Sequence, residues 1–432
     1  MVELKTINDT VHGTIRLDAV TLELLETLEL QRLNSIRQLG LTYLVFPGAN
    51  HSRIEHSLGV GHVAGEMADA LGAPPQERRL VACAGLLHDL GHGPFSHTLE
   101  HVLSARLDRD HMDVTMDLIT GKGEGADAAA RKSLGGVLTV PEVLEKHDVD
   151  PKAVAALIKG PAESKGGLSV HRGQAHFGAR RYLAQVIHSA VDADQIDYLL
   201  RDSHYTGVAL GMIDVRRLMQ TFVVHNGQLA VHRKGVPALE GMLTARALMY
   251  SSVYFHKTVR IAEQMLSRAV ERSPGDIAVV QRMVDADLLR WLEAQGGFPQ
   301  EIARRLKYRK LYKRAWVRGK YELDDTQRKA LASLADPEDR QEAEDAIAKR
   351  AGASPGGVIL DIPLPELLIS EPRIAKTDVP ILDGSRIAPL RRASPLARAL
   401  QLRDVSDWVG MVAARPAEQA VVARHVERVL FK

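Results

Sequence analysis

Histidines and aspartates recur at three places in the chain, in an order that suits a metal centre. The first place is His56, one helical turn after Arg53; the second is the adjacent pair His88 and Asp89; the third is Asp194. Mixed imidazole and carboxylate ligands favour Mn, Fe, Zn, Ni or Mg over thiophilic metals. A metal ion with open coordination positions can activate water for attack on phosphorus. The pattern therefore predicts one divalent metal ion, of unspecified identity, held by two imidazoles and two carboxylates.

Each part of this pattern has an ordinary explanation when taken alone. A lone histidine in a predicted helix is more often a core or surface residue, and an aspartate near a helix end often caps it. Burial of His88 and Asp89 behind an apolar helix is, however, unfavourable without a metal or partner charges. Asp194 also shares its predicted helix with Asp197 and Asp202, and several carboxylates in one pocket need a cation. The joint pattern is what indicates the site.

Further histidines follow the His-Asp pair within a short stretch: His92, His97, His101 and His111. A histidine near a phosphate can act as general acid for the leaving oxygen, or can support a metal ligand from behind. The alternative is a surface loop that happens to be rich in histidine. We favour a role in the site for His92 and His97, and leave both interpretations open for His101.

Composition limits the classes of protein that fit. The 432 residues suffice for two or three domains, and with 45% hydrophobic residues they can form a large core. A net charge of +2 does not indicate a nucleic-acid or membrane-surface protein. Cys83 is the only cysteine, which fits a reducing cytoplasm. The N-terminus does not resemble a signal peptide, and apolar runs are too short for a membrane helix. We expect a cytoplasmic protein without a membrane partner.

Hydrophobic periodicity predicts a mainly α-helical chain. The segments that carry the motifs are predicted as helices: 15–40, 53–71, 77–90 and 180–201. Asn226-Gly227 joins two strand-like runs and predicts a β-hairpin. A strand at 358–363 is predicted to belong to a small C-terminal α/β piece. The basic run 304–318 contains aromatic residues, so it could bind single strands; we favour an amphipathic helix with a solvated face.

Several motifs together resemble one known family. They are Asn8–Gly13, Gln31–Leu33, Gln38–Gly40, Val45–Ala49, Arg53–Gly61 and His88–His97. In this order they resemble the HD-domain phosphohydrolases, in the branch of the SAM and HD domain deoxynucleotide triphosphohydrolase and its bacterial relatives. The resemblance is strong over residues 5–270, and we expect no SAM domain ahead of it.

The resemblance implies a fold, a reaction and an assembly. It implies an HD-domain catalytic core at 1–275 and a C-terminal helical and α/β region at 276–432 that packs on the core and in oligomer contacts. The implied reaction splits a deoxynucleoside triphosphate into a deoxynucleoside and triphosphate. Dimers or tetramers are implied, and a nucleotide activator is left open. Nucleic-acid binding is not indicated.

The family's functional residues fall on matching positions of this chain. The implied metal ligands are His56, His88, Asp89 and Asp194. The residues implied around the scissile bond are Arg53 and His92 at the phosphate, His97 at the leaving 5′ oxygen, and His111 nearby. The residues implied around the sugar and outer phosphates are Gln38, Leu39, Tyr198, Asp202, Arg246 and Tyr254. The residues implied at an activator site are Lys5, Asn8 and Lys257.

Some positions depart from the family pattern. Gln195 stands where the animal enzyme has a phosphate-clamping lysine, and Phe255 where it has a glutamine. Glu26 and Asn34 replace activator-site residues. Because charged hydrogen bonds are stronger than neutral ones, Gln195 predicts weaker triphosphate binding and a gain for Gln195→Lys. Two alternatives stay open: a phosphatase of nucleoside monophosphates or another phosphoester, and a nucleotide- or single-strand-binding regulator with vestigial hydrolysis.

Overall fold

The computed structural model describes residues 5–123, 128–160, 180–363, 379–400 and 408–431. The predicted mainly α-helical fold, with a small β-hairpin and a smaller C-terminal α/β region, is confirmed. The predicted domain boundary between residues 275 and 276 stays a prediction.

Helices form the body around the predicted site. From the N-terminus they are α1 (Ala19–Leu25), α2 (Leu28–Arg32), α3 (Arg53–Ala70), α4 (Pro75–Leu87), α5 (Ser96–Leu107), α6 (His111–Thr120), α7 (Ala128–Ser133), α8 (Val140–Lys146), α9 (Pro151–Lys159), α10 (Arg181–Ile187), α11 (Ala193–Thr206), α12 (Val215–Met219), α13 (Val236–Met249) and α14 (Lys257–Glu271). The later helices are α15 (Asp285–Ala294), α16 (Gly297–Lys307), α17 (Asp325–Ser333), α18 (Pro337–Ala351), α19 (Leu390–Ala393), α20 (Pro395–Leu400), α21 (Gln419–Ala423) and α22 (Val426–Leu430).

The strands of the described residues form three small sheets. They are β1 (Lys5–Asp9), β2 (Gly13–Leu17), β3 (Phe222–His225), β4 (Gln228–His232), β5 (Lys313–Arg318), β6 (Val358–Asp361), β7 (Pro380–Asp383), β8 (Arg386–Pro389) and β9 (Gly410–Ala414). β1 and β2 form a hairpin; the other sheets have the orders β3-β4-β7-β8 and β5-β9-β6. The predicted hairpin is confirmed, and its turn residues Asn226 and Gly227 have φ values of 48° and 74°. β7 pairs in parallel with β4, so the C-terminal region completes this sheet.

Three predicted helices were wrong in part. The helix predicted at 180–201 is two helices, α10 and α11, separated by residues 188–192, where Asp192 caps α11. Residues 15–40 are not one helix, because Asp18 and Thr27 each cap a new short helix after β2. The hairpin of β1 and β2 ahead of them was not predicted. In the basic run, α16 ends at Lys307 and Arg309 has a positive φ of 54°. β5 then pairs antiparallel with β9, with the Trp316 side chain buried. The predicted strand at 358–363 is confirmed as β6.

Glycines let the three helices of the site approach closely. α3 packs along α4 and crosses α11. A Cβ atom on Gly85 would lie 2.9 Å from the Val60 carbonyl oxygen, and one on Gly59 would lie 1.9 Å from Asp197 Oδ1. A side chain at Gly59 would therefore displace the Asp197 carboxylate.

No helix in the described part of the chain combines the length and the apolar character that crossing a membrane requires.

We expect Gly59→Ala to lower the free energy of unfolding by about 1–3 kcal/mol, because the added methyl group overpacks a close contact. Helix propensity alone would act in the opposite direction. Gly241→Ala is the matched control, since a Cβ at that position of α13 meets no atom within 4 Å, and it should stabilise by up to about 1 kcal/mol. Urea denaturation measures both. Equal effects of the two substitutions would contradict the packing account.

Candidate metal centre and its cavity

The orientation of His56 is fixed by a buried carboxylate. His56 Nδ1 donates to Asp197 Oδ2 at 2.8 Å. Asp197 also accepts from His12 Nε2 at 2.6 Å and from Arg201 Nε at 2.9 Å. With its proton held on Nδ1, His56 presents Nε2 to the interior, 3.0 Å from Asp194 Oδ1. An imidazole held in this way is a typical metal ligand supported from behind by a carboxylate.

His88 is oriented by the backbone. It follows directly after α4, and its Nδ1 donates to the Gly85 carbonyl oxygen at 2.7 Å. The His56 and His88 rings lie nearly perpendicular, with centroids 5.2 Å apart. Both Nε2 atoms are buried, and neither has a hydrogen-bond partner within the described residues.

These residues fit a divalent metal ion. One ligand atom each from His56, His88 and Asp194 lies within 4.8 Å of the others. The two buried Nε2 lone pairs are otherwise unsatisfied, which is unfavourable unless a ligand meets them. Imidazole and carboxylate ligands suit the metals named above. Three of the four predicted ligands are therefore brought together.

Asp89, the fourth predicted ligand, lies beside this group. One of its oxygens is 3.2 Å from His88 Nε2, and the other contacts an Arg53 guanidinium nitrogen. Although burial would raise it, the charges of His88 and Arg53 hold the pKa of Asp89 well below its usual range. Asp89 is therefore ionised and close enough to join the metal ligands. Only one of its oxygens is available for this, because the other is engaged by Arg53.

The electrostatics of the cluster favour a cation. Burial alone would lower the pKa of His56, yet the neighbouring carboxylates of Asp194 and Asp197 raise that pKa to about 10. The carboxylates thus hold a proton on the ring when nothing else offsets their charge. A divalent ion can replace that proton, because it supplies positive charge to the same carboxylates.

A second histidine pair lies next to the cluster. His92 stacks on His111 with centroids 4.0 Å apart, and His92 Nε2 is 3.3 Å from Asp89 Oδ1. Burial, aided by Arg53 and His111, holds the pKa of His92 well below its usual range. His111 contacts Glu100; despite burial, this carboxylate raises the pKa of His111. The pair therefore combines a neutral ring with a ring that retains its proton. The side chain of His97 lies outside the described residues.

The predicted sugar residues line one cavity together with two carboxylates of the metal site. Its volume is about 230 Å³, and its lining includes Asp89, Asp194, Gln38, Leu39, Tyr198, Asp202 and Tyr254. Asp202 Oδ1 accepts from His51 Nε2 at 2.9 Å, and Oδ2 accepts from the Tyr254 hydroxyl at 2.5 Å. Two buried polar atoms, Gln38 Oε1 and the Tyr198 hydroxyl oxygen, lack a partner among the described residues. Such atoms indicate a polar ligand.

Gln195 does not stand at the cavity wall. Its side chain is 2% exposed, and its Oε1 accepts from Arg246 Nη1 at 3.0 Å. Its Nε2 donates to the Ser189 carbonyl oxygen and to Asp192. Gln195 thus positions the fully buried Arg246. The expectation that a lysine would improve this position does not agree with the geometry.

The predicted activator residues lie at two separate elements. Lys5 and Asn8 are exposed on β1, where Asn8 Oδ1 accepts from the Thr14 hydroxyl. Lys257 begins α14, with its Nζ 5.8 Å from the Trp408 ring centroid. In the described part of the chain, no hydrogen bond or ion pair joins Lys257 to β1. An activator site and an oligomer stay predictions.

The sequence patterns missed the residues that orient the ligands. They are His12, His51, Glu100, Asp197 and Arg201. A helical wheel offers a partial signal, because Asp194, Asp197 and Arg201 share one face of α11 at spacings of three and four. His12 lies in the motif Asn8–Gly13, but no local pattern shows that it, or His51, orients a carboxylate, since their partners Asp197 and Asp202 are distant in sequence.

Comparisons with known proteins agree with this geometry. A family model described as HD domain matches residues 53–202, and one described as HD associated region matches residues 213–431. An uncharacterized protein of Methanocaldococcus jannaschii is 31% identical over 94% of this chain and 78% of its own length. The deoxynucleoside triphosphate triphosphohydrolase SAMHD1 of Homo sapiens is 30% identical over 64% of this chain, but only 46% of its own length is matched. A crystal structure of a hypothetical protein from Aquifex aeolicus has a TM-score of 0.71 at 27% identity, covering 98% of this chain and 100% of that chain.

Removal of one carboxylate should release the metal. We expect Asp194→Ala to lose tightly bound metal while it keeps the helical far-UV circular dichroism spectrum, because one anionic ligand is gone. Elemental analysis of the purified proteins measures this. Asp287→Ala, a change at an exposed residue of α15, is the control and should retain the metal. Unchanged metal content in Asp194→Ala would show that this residue is not a ligand.

Gln195→Lys should destabilise the protein. The new ammonium group would lie beside the buried Arg246 guanidinium, which would also lose the Gln195 oxygen as its acceptor; a buried donor that loses its acceptor costs about 1–3 kcal/mol. We expect a lower melting temperature and a higher Michaelis constant for the substrate. A melting temperature that is unchanged, together with a lower Michaelis constant, would instead support a phosphate contact at this position.

Proposed function

Because the chain belongs to the family of HD-domain phosphohydrolases, we propose that it hydrolyses deoxynucleoside triphosphates to deoxynucleosides and triphosphate. The family supports a metal-dependent hydrolase; the substrate is our inference. The observation that carries it is one shared cavity: Asp89 and Asp194 line it together with Gln38 and Tyr198, whose buried polar atoms lack a partner among the described residues. Phosphate chemistry and sugar recognition thus have one continuous site.

His56, His88, Asp89 and Asp194 are the residues that would hold the metal. A divalent ion there supplies Lewis acidity and lowers the pKa of water for attack on phosphorus. Asp197 keeps the His56 proton on Nδ1 and so keeps Nε2 available. Arg53, fully buried against Asp89, orients that carboxylate and offsets negative charge that develops on the phosphate.

The neighbouring histidines have separate roles at the phosphate and at the leaving oxygen. His111 retains a proton beside Glu100, and it stacks on the neutral His92, which faces Asp89. In the proposed reaction His92 contacts the phosphate and His111 supplies positive charge behind it. His97 stays the predicted donor to the 5′ oxygen.

Asp202 and its partners select the sugar. Both of its oxygens are occupied, by His51 and by Tyr254, so the carboxylate is held in place rather than free to turn. A fixed carboxylate accepts a hydrogen bond from the 3′-hydroxyl. Gln38 and Leu39 close the cavity nearby, and in the proposed complex they leave no room for a 2′-hydroxyl.

The arginines at the site already have partners, which makes a substrate with fewer negative charges a second candidate. The arginines that line it, Arg260 and Arg340, are both engaged with carboxylates. Arg53 and Arg246 are fully buried and also engaged. A phosphomonoester needs fewer cations than a triphosphate, so a nucleoside monophosphate is the second candidate. The named activity of the human relative supports the triphosphate.

A nucleotide panel tests the proposal. With Mn²⁺ present we expect dATP to yield deoxyadenosine and triphosphate, with kcat/KM at least about tenfold above that for ATP, because a site shaped for one sugar rejects an added polar group. Chromatography resolves nucleoside, nucleotide, phosphate and triphosphate in one run. Hydrolysis of dAMP alone would favour the second candidate, and equal turnover of dATP and ATP would contradict the sugar assignment.

A further inference from the structure

The cavity extends beyond the sugar residues to a second polar end. Three of its lining residues, Arg260, Glu263 and Gln264, share one face of α14, and Asp361 stands at the end of β6. We call these four residues the base end of the cavity. Arg260 donates to Asp361 Oδ1 at 2.8 Å and to Glu263 Oε2 at 3.2 Å. Asp361 Oδ2 accepts from Trp408 Nε1 at 3.1 Å, so each oxygen of this carboxylate already has a donor.

Gln264 differs from the other three residues of the base end, which are hydrogen-bonded. Its side chain is only 8% exposed, yet it makes no hydrogen bond to any of the described residues. Its amide atoms are not fully enclosed by the described residues, so their donors and acceptor stay available to a ligand. Because Gln264 lines the cavity, that ligand would be the occupant of the cavity.

Glu263 adds a second free acceptor. One of its oxygens accepts from Arg260, and the other makes no hydrogen bond within the described part of the chain. Phe95 and Phe255 line the same cavity and offer apolar walls. A flat heterocycle can pack against such walls while its edge meets an amide and a carboxylate.

We propose that the base end binds the nucleobase, and that Gln264 and Glu263 favour bases with an exocyclic amino group over thymine. An amide pairs with the amino and ring nitrogen atoms of adenine, and a carboxylate accepts from the amino group of cytosine. Thymine would instead place a carbonyl oxygen against the free oxygen of Glu263. This inference rests on the proposed deoxynucleotide activity. It extends that proposal by naming the residues that would distinguish one nucleobase from another.

A pair of substrates tests the edge of the base. The triphosphates of 5-methyldeoxycytidine and thymidine share their sugar, phosphates and methyl group. At the base edge the first has an amino group and an unprotonated N3, whereas thymine has a carbonyl and an N3–H. We expect kcat/KM for the 5-methylcytosine substrate to be at least about tenfold higher, because a buried acceptor that loses its donor is strongly discriminating. Equal values would overturn the inference.

A variant tests the residue itself. Gln264→Met keeps the length of the side chain and removes its hydrogen-bonding atoms, so the ratio between the two substrates should fall to less than about threefold. Gln300→Met makes the same change on α16, outside the cavity lining, and should leave the ratio unchanged. A ratio that Gln264→Met does not change would remove Gln264 from the assignment.

Failure of the proposed hydrolysis can be distinguished from failure of the base-recognition inference. If neither triphosphate is hydrolysed, the proposed function fails, and calorimetric titration of the unaltered protein with 5-methyldeoxycytidine and thymidine tests the base end by itself. Tighter binding of 5-methyldeoxycytidine would support base recognition there. Equal binding, or none, would overturn it.

Discussion

The Asp197 carboxylate is the interaction on which the rest of the site depends. It is fully buried and accepts hydrogen bonds from His12, His56 and both Nε and Nη2 of Arg201. Removal of a carboxylate from water is costly unless such donors replace the water. Here these donors hold the pKa of Asp197 well below its usual range, despite burial that would raise it. The ionised oxygen then fixes the His56 proton on Nδ1, which leaves Nε2 as the metal-facing atom.

The same carboxylate joins segments that are distant in sequence. Arg201 also donates to Asp9 on β1 at 2.9 Å, so the N-terminal hairpin is tied to α11. Gly59 leaves the space through which Asp197 reaches α3. The geometry of the metal ligands thus follows from a packed network and not from the histidines alone. The hairpin is part of the site, although none of its residues lines the main cavity.

The C-terminal region closes the other side of the cavity. Arg268 on α14 donates to Glu344 on α18 at 2.8 Å and to the Leu360 carbonyl oxygen at 3.0 Å. Arg260 contacts Asp361 from the same helix. Because α14 also presents Glu263 and Gln264 to the cavity, the ion pairs that hold the C-terminal region also set the shape of the base end.

Sequence patterns could predict the residues that contact ligands, because their chemistry requires particular side chains at helix positions. His56, His88 and Asp194 were found in this way. The orienting residues could not be predicted, since His12 and His51 have no distinguishing neighbours and act across long separations. Gln195 was interpreted from its position beside Asp194, but the direction of its side chain is set by Arg246, which only the tertiary structure brings near. Likewise the charge of residues 313–318 favoured a solvated helix, whereas pairing with β9 decides the strand.

Anomalous diffraction from crystals grown with Mn²⁺ tests the central claim most directly. The account predicts one strong peak within about 2.0–2.3 Å of Nε2 of both His56 and His88 and of an Asp194 oxygen, with His56 Nδ1 still bonded to Asp197. A peak elsewhere in the molecule, or a His56 ring that presents Nδ1 to the metal ion, would contradict it.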